Sequence, residues 1–191
     1  KNIEDGYLGR ITRGETVNGH TLQGLRTELP FLLSKKVEFE PLVHGLWTPD
    51  GRRATTLESR AVVQMEGFID IVICTQDSEG RPTIRAVDIK TDSTMRMLSA
   101  EDPSDFHNLG PDFVDRMLLR HGIQLAIYHN ALEAMNEQLP IEARRLVLSP
   151  AIIWAGNGRM LEYPIEVLQN LNLTLESILV ETAREHLAPS S

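Results

Sequence analysis

The chain has little cysteine, few aromatic residues and no long apolar run. Cys74 is the single cysteine among 191 residues. No disulfide can therefore form within the chain, and no iron–sulfur cluster is expected, because such a cluster needs several thiolates. This composition predicts a reducing, intracellular compartment, which would be the cytoplasm for a protein of a bacterium or a phage. No apolar run approaches the length of about 18 residues that a membrane-spanning helix needs, so no membrane partner is expected.

The length and composition suit one domain, covering residues 1–191, and its 41% hydrophobic content suits a sizeable core. Glycines recur in residues 1–21 and predict an irregular lead-in. A long polar stretch at 93–112 contains two prolines and predicts an inserted loop. The sequence begins at Lys1 without a methionine, which suggests a domain excised from a longer chain.

Two segments rich in β-branched residues predict neighbouring strands, at residues 67–74 and 83–91. The link between them is rich in turn-forming residues, so an antiparallel hairpin is predicted. This pairing would bring Asp70 and Asp88 close together in space. Because side chains alternate along a strand, Asp88 and Lys90 should share one face.

Charged side chains inside such apolar strands need an explanation. A buried ion is costly unless it is paired, hydrogen-bonded or bound to a metal. The simple alternative is a solvated edge strand, with Asp88 and Lys90 on its surface and Asp70 facing them. A polar pair on the following helix favours a functional site instead. Residues 112–139 have apolar side chains at helical spacing, and there Gln124 and Tyr128 stand four apart on one face.

These clusters occur in a fixed order along the chain, which reads Gly67-x-x-Asp70, Asp88-x-Lys90-Thr91 and Gln124-x-x-x-Tyr128. In this order they resemble the RecB-type branch of the PD-(D/E)XK nucleases. An upstream segment, residues 26–32, resembles the strand before the active site in helicase-linked members. The resemblance covers about residues 22–150. It implies a restriction-endonuclease-like core, which is an α/β fold with a mixed central β-sheet flanked by helices.

The resemblance also implies a role for each matching residue. Asp70 and Asp88 would bind a metal ion, and the carbonyl of Ile89 would complete the protein ligands. Lys90 would act with both aspartates in catalysis by orienting the attacking water and offsetting charge on the phosphate. Three further residues would support the site or contact the nucleic acid: Thr91, Gln124 and Tyr128. Carboxylate and carbonyl oxygens suit Mg²⁺ or Mn²⁺, independently of any resemblance.

The expected function is a divalent-metal-dependent deoxyribonuclease in DNA end processing, recombination or repair. Exonuclease action is favoured over endonuclease action. Single-stranded DNA or duplex ends are the expected substrates, and a helicase or another domain is an expected partner. The main alternative is an inactive copy of the nuclease fold that serves as a DNA-binding or scaffolding module. An RNA-directed phosphodiesterase is a third interpretation, because the metal site acts on the phosphate in both nucleic acids.

Besides the polar insert at 93–112, two features depart from the family pattern. The net charge is −8, from 19 basic and 27 acidic residues, whereas a free-standing nuclease more often has a basic face. A local arginine groove or a basic partner would then supply affinity for DNA. Related members also carry an upstream helix with a His or Glu at the metal site. The candidates here are Glu15 and His20, at a poor spacing.

The remaining segments complete the expected layout. Strands are predicted at 23–33, 36–46, 144–154 and 159–163, and a final helix follows Pro164 to about residue 187. Glu66 shares strand parity with Asp70, so a supporting role near the metal is considered. His121 and His129 lie eight residues apart, but a structural role is favoured over zinc binding.

Overall fold

The computed structural model describes residues 21–38, 60–90, 121–154 and 159–187. Its strands are β1 (Thr21–Glu38), β2 (Arg60–Gln76), β3 (Pro82–Lys90), β4 (Leu146–Val147), β5 (Ala151–Trp154) and β6 (Arg159–Glu162). Its helices are α1 (Ile123–Glu137) and α2 (Ile165–Leu187), with a single 3-10 turn at Ile141–Ala143.

The strands form one mixed sheet of six strands in the order β1-β2-β3-β5-β6, with β4 also pairing β3. The pairs β1–β2, β2–β3 and β5–β6 are antiparallel. The pairs β3–β4 and β3–β5 are parallel, and α1 lies in the crossover between them. The predicted α/β character with a mixed central sheet is therefore confirmed.

The hairpin of β2 and β3 follows the prediction from its turn residues. Asp77 Oδ1 accepts hydrogen bonds from the backbone N–H groups of Glu79 and Arg81, at 3.0 and 2.9 Å. Gly80 takes a positive φ of 76°, which a glycine adopts without steric cost. The two strands then pair from Gln76 opposite Pro82 up to Ile71 opposite Val87.

The first strand differs from the prediction of two strands at 23–33 and 36–46. β1 is continuous from Thr21 to Glu38, and it pairs with β2 along most of its length. The residues around the predicted gap belong to an amphipathic strand: Ser34 and Lys36 are exposed, while Leu33 and Val37 are buried. An alternating pattern of this kind continues a strand rather than ending it. Residues 39–46 lie outside the described part of the chain.

Both described helices pack on one face of the sheet, and apolar side chains at helical spacing explain why. In α2, the buried leucines recur every three or four residues, at Leu168, Leu171, Leu175 and Leu179. Gly122, just before α1, allows the two helices to approach closely. A Cβ atom at position 122 would lie 2.6 Å from Leu171 Cδ2. This packing holds α1 beside α2, and α1 also contacts β1 and β3 of the sheet.

Several expectations fall on residues outside the described ranges. They are the lead-in up to residue 20, the insert at 93–112, the start of the long helix before His121, and Thr91. Glu15 and His20 also lie there. Within the ranges that are described, no helix is long and apolar enough to cross a membrane.

Candidate active site

Asp70 and Asp88 meet where the ladder between β2 and β3 stops. The last regular pair is Ile71 with Val87, one residue short of both aspartates. Asp88 is completely buried, and Asp70 is half-buried. Their carboxyl groups lie within hydrogen-bonding reach of each other. The structure thus brings together the two carboxylates that the hairpin was predicted to bring together.

Beyond the ladder, the Asp70 side chain bonds to the backbone of β3. The N–H of Ile89 donates a hydrogen bond to Asp70 Oδ2 at 3.2 Å. The N–H and C=O of one strand residue point to the same side of the strand. The Ile89 carbonyl therefore faces the same gap between β2 and β3, on the side of the two carboxylates.

A directed chain of hydrogen bonds joins Lys90 to Asp70 through α1. Lys90 Nζ donates to Gln124 Oε1 at 3.3 Å, and Gln124 Nε2 donates to the Tyr128 hydroxyl oxygen at 2.8 Å. The Tyr128 hydroxyl in turn donates to Asp70 Oδ1 at 3.3 Å. Each donor in the chain has an acceptor, so the arrangement fixes the orientation of the Gln124 amide. Four sequence-predicted residues therefore form one connected network.

Two other motif residues hold the Tyr128 ring in place. The Tyr128 ring packs edge-on against Phe31, with the ring centroids 6.0 Å apart and an interplanar angle of 73°. Phe31 on β1 lies opposite Gly67 on the neighbouring strand β2. A Cβ atom at position 67 would lie only 3.2 Å from the Phe31 ring. Gly67 thus makes room for the aromatic pair that supports Tyr128, a contact that the sequence motifs did not predict.

Asp88 lies in an electrostatic setting that disfavours its charge. Lys90 Nζ is 2.6 Å from Asp88 Oδ2, yet neither Asp88 oxygen accepts a well-directed hydrogen bond from a donor in the described residues. The pKa of Asp88 is raised to about 7, chiefly by burial and also by the adjacent Asp70, while Lys90 opposes the shift. A second cation at this point would favour the ionised form.

This raised pKa predicts how metal-free stability depends on pH. The folded protein keeps a proton on Asp88 up to about pH 7, whereas the unfolded chain releases it near 3.8. The contribution of Asp88 to stability should therefore be largest below about pH 4 and decline as the pH rises to 7. Asp88→Asn lacks this titration, so it should gain stability relative to the wild type over that range. Thermal unfolding of both proteins in EDTA measures the difference, and a constant difference would contradict the prediction.

The donor set can be compared with the needs of a divalent ion. Among the residues that the structure describes, no group of three or more His, Cys, Asp or Glu side chains could hold a metal. The available set is the Asp70 and Asp88 carboxylates with the Ile89 carbonyl. Mg²⁺ commonly binds through one or two carboxylates and keeps several waters for the substrate phosphate. The set fits such an ion, and it does not suit zinc, which needs more nitrogen or sulfur ligands.

Tyr163 is a neighbour of the site that the sequence did not indicate. It follows β6, it is buried, and its N–H donates to the Pro150 carbonyl at 3.0 Å. Burial raises the pKa of the Tyr163 phenol, and the negative charge of Asp88 contributes to the same shift. Alternation along the predicted strand at 159–163 marks Tyr163 as inward-facing, but no motif linked it to Asp88.

Other candidates lie away from the network. Glu66 is exposed and lies opposite Leu32, which is also exposed, so the prediction that Glu66 shares a face with Asp70 is wrong. His129 is buried with its Nε2 3.3 Å from Glu133 Oε1, and burial lowers the pKa of this histidine. His121 is buried too. These placements suit structural histidines.

Two described arginines that could line a basic groove, Arg60 and Arg144, bond to the protein itself. Arg60 forms an exposed ion pair with Glu38 at 3.0 Å. Arg144 donates to the carbonyls of Leu139 and Glu137 at the carboxyl end of α1, at 3.1 and 2.7 Å. Arg52, Arg53, Arg116 and Arg120 lie outside the described ranges.

Comparison with known proteins adds no family to this geometry. No protein-family model matches the chain, and a search of curated proteins finds no matching relative.

Proposed function

We propose that this chain is a Mg²⁺- or Mn²⁺-dependent DNA nuclease of the RecB-like type, with a restriction-endonuclease-like core. The proposal rests on the ordered motifs and on the contacts among their residues. Exonuclease action on DNA ends, in end processing, recombination or repair, is the favoured form of the activity. A helicase or another basic domain is the proposed partner, since the chain carries a net charge of −8.

One observation carries the proposal. Asp88 is completely buried against a second carboxylate, and the ion pair with Lys90 at 2.6 Å is the one compensation that a described side chain gives it. A protein selected only for stability has little reason to keep such a group, because a buried ion without full compensation is costly. A divalent cation bound between Asp70 and Asp88 would compensate it. Strongly perturbed carboxylates of this kind cluster at functional sites.

The residues present suggest a division of labour. Asp70, Asp88 and the Ile89 carbonyl would hold the ion, which when bound supplies Lewis-acid stabilisation and acidifies water. Lys90 reaches the same site as a compact cation, so it would orient the attacking water and offset negative charge on the phosphate. Gln124 connects Lys90 to Tyr128, and the Tyr128 hydroxyl holds Asp70 Oδ1. Gln124 and Tyr128 would hold the charged groups of Lys90 and Asp70 in position.

An inactive nuclease-fold module that binds DNA or acts as a scaffold remains the second candidate. Two observations favour it: the acidic net charge, and the limit of two carboxylates at the site among the described residues. Inactive copies usually lose an aspartate or the lysine. Asp70, Asp88 and Lys90 are all present, and Asp88 lies against both of the others, so the active enzyme is the better proposal.

A substrate panel tests the proposed function. End-labelled single-stranded DNA, duplex DNA and RNA of the same sequence would be incubated with the protein and Mg²⁺ or Mn²⁺, and with EDTA as the control. The proposal predicts metal-dependent shortening of DNA from an end. Cleavage of RNA alone would support the RNA-directed alternative. DNA binding without cleavage at any metal concentration would support the inactive module.

The Tyr128 hydroxyl can be tested apart from the Tyr128 ring. The ring is 6% exposed and packs against Phe31, so Tyr128→Ala would remove core packing as well as the hydroxyl. Tyr128→Phe keeps the ring and removes the two hydrogen bonds of the hydroxyl, the one to Asp70 and the one from Gln124. We expect it to lower stability by about 1 kcal/mol or less and to slow cleavage by roughly tenfold, in line with the loss of one hydrogen bond that positions a ligand. Urea unfolding and single-turnover cleavage measure the two effects. Cleavage at the wild-type rate would show that the hydroxyl has no part in the site.

A further inference from the structure

Glu28 has an unusual backbone conformation for a residue inside a strand. Its φ is 51°, and within the described ranges it is the single non-glycine residue with a positive φ. Residues with a Cβ atom rarely occupy this left-handed region, because the Cβ crowds the backbone. Such conformations persist where the surrounding structure requires them, and they cluster at functional sites.

Glu28 on β1 lies directly opposite Asp70 on the neighbouring strand β2. The ladder of β1 and β2 pairs Thr27 with Ile71 and Leu29 with Ile69. Between these two pairs, Glu28 and Asp70 stand opposite each other without a regular pairing. The register is the same on both sides of this point, so no residue has been inserted in either strand.

What changes at this point is the face to which the side chains point. On one side of it, Leu25, Ile71 and Ile73 pack together on the sheet face away from the helices. On the other side, Phe31 and Ile69 pack with α1 on the opposite face. All five positions are odd-numbered, so unbroken alternation would put them on one face. Both strands therefore reverse their alternation at the level of Glu28 and Asp70.

The reversal decides where Asp70 points. Unbroken alternation from Ile69, which packs with α1, would turn Asp70 towards the other face. Instead its carboxylate accepts hydrogen bonds from the Tyr128 hydroxyl on α1 and from the Ile89 N–H. The same reversal places Glu66, four residues before Asp70, on the sheet face away from the helices.

We propose that Glu28 is a positioning residue whose left-handed backbone turns Asp70 into the candidate site. The backbone of Glu28 performs this role, and its carboxylate is dispensable. The effect on cleavage rests on the proposed nuclease function, whereas the effect on the bond between Asp70 and Ile89 does not.

Three substitutions separate backbone from side chain. Each removes the carboxylate. Glu28→Gly removes most of the energetic cost of the left-handed conformation, and Glu28→Ala leaves that cost about the same. Glu28→Val raises the cost, because valine is β-branched. At an ordinary strand position glycine is less stable than alanine. We expect the opposite order here, with Glu28→Gly unfolding at a higher temperature than Glu28→Ala. The reverse order would overturn the proposal, and this comparison does not depend on whether Glu28→Val folds.

The Ile89 amide reports on the direction of Asp70 in solution. Its resonance in a ¹H–¹⁵N spectrum would be compared with that in Asp70→Ala, which lacks the acceptor. We expect Glu28→Val to move the resonance towards its Asp70→Ala position, while Glu28→Gly keeps it at the wild-type position. Cleavage by Glu28→Val should fall roughly tenfold or more below that by Glu28→Gly, because small displacements of catalytic groups are costly.

Each other outcome is also informative. An unmoved Ile89 amide in a folded Glu28→Val protein would overturn the proposal. Equal loss of cleavage in Glu28→Gly and Glu28→Ala, with the Ile89 amide unmoved, would assign the role to the Glu28 carboxylate. That result would also overturn the proposal. If the wild type cleaves nothing, the proposed function fails, but the unfolding temperatures and the amide resonance still test the role of Glu28.

Discussion

Lys90→Ala should abolish most cleavage while leaving divalent-metal binding intact. Lys90 Nζ is the one side-chain cation within bonding distance of Asp88 in the described residues, at 2.6 Å. Removal of one strong electrostatic group from a charged transition state typically costs 10² or more in turnover, and we expect a loss of about that size. Metal affinity should be equal or higher, because the ammonium group and a metal ion compete for the same carboxylate.

A lysine elsewhere on the sheet controls for the change in net charge. Lys36 on β1 is exposed, so Lys36→Ala removes the same charge away from the network. It should cleave at nearly the wild-type rate. Single-turnover cleavage at saturating Mn²⁺ compares the three proteins, and calorimetric Mn²⁺ titration gives their affinities. If Lys90→Ala cleaves like Lys36→Ala, Lys90 belongs to a solvated strand rather than to an active site.

Asp88→Asn should lose both metal binding and cleavage while remaining folded. Asparagine has nearly the same shape but no charge, so it is a poor ligand for a hard divalent cation. We expect Mn²⁺ binding to disappear from the titration and cleavage to fall by at least about 10²-fold. We do not expect unfolding to cause these losses of Mn²⁺ binding and cleavage. The pKa of Asp88, raised to about 7, predicts that the amide is tolerated better than the carboxylate at neutral pH.

Glu79→Gln is the matched control for this substitution, since Glu79 is an exposed carboxylate in the turn between β2 and β3. It changes the net charge equally and should leave Mn²⁺ affinity and cleavage close to those of the wild type. Unchanged Mn²⁺ affinity in Asp88→Asn would remove Asp88 from the ligand set. Protection against heat adds a second comparison. Mn²⁺ should raise the unfolding temperature of the wild type and of Glu79→Gln but not that of Asp88→Asn.

Local sequence was sufficient to predict the hairpin that carries the two aspartates. Turn residues at 77–81 and β-branched runs on both sides gave the pairing, because a short hairpin depends on neighbouring residues alone. The shared helix face of Gln124 and Tyr128 followed equally from their spacing. The bonds from this face to Lys90 and Asp70 depended on how α1 packs on the sheet, which local spacing does not specify.

The position of Glu66 shows where reasoning from alternation fails. The prediction that Glu66 shares a face with Asp70 assumed unbroken alternation, and the two strands reverse face at Asp70. A glycine at position 28 would have signalled such a reversal in the sequence. This chain has Glu28 there, although its φ is positive. The contact between Gly67 and Phe31 escaped prediction for a related reason, because it joins residues 36 positions apart through the register of β1 and β2.

The most direct test of the account is a parallel cleavage assay of the wild type, Lys90→Ala and Asp88→Asn. All three proteins would be purified identically and incubated with end-labelled DNA in Mn²⁺ or in EDTA. A contaminating nuclease would be present in all three preparations, so only a difference among them reports on this chain. We predict Mn²⁺-dependent cleavage by the wild type, at least about 10²-fold less by either variant, and none in EDTA. Equal cleavage by all three, or none by the wild type, would contradict the assignment of a metal-dependent nuclease.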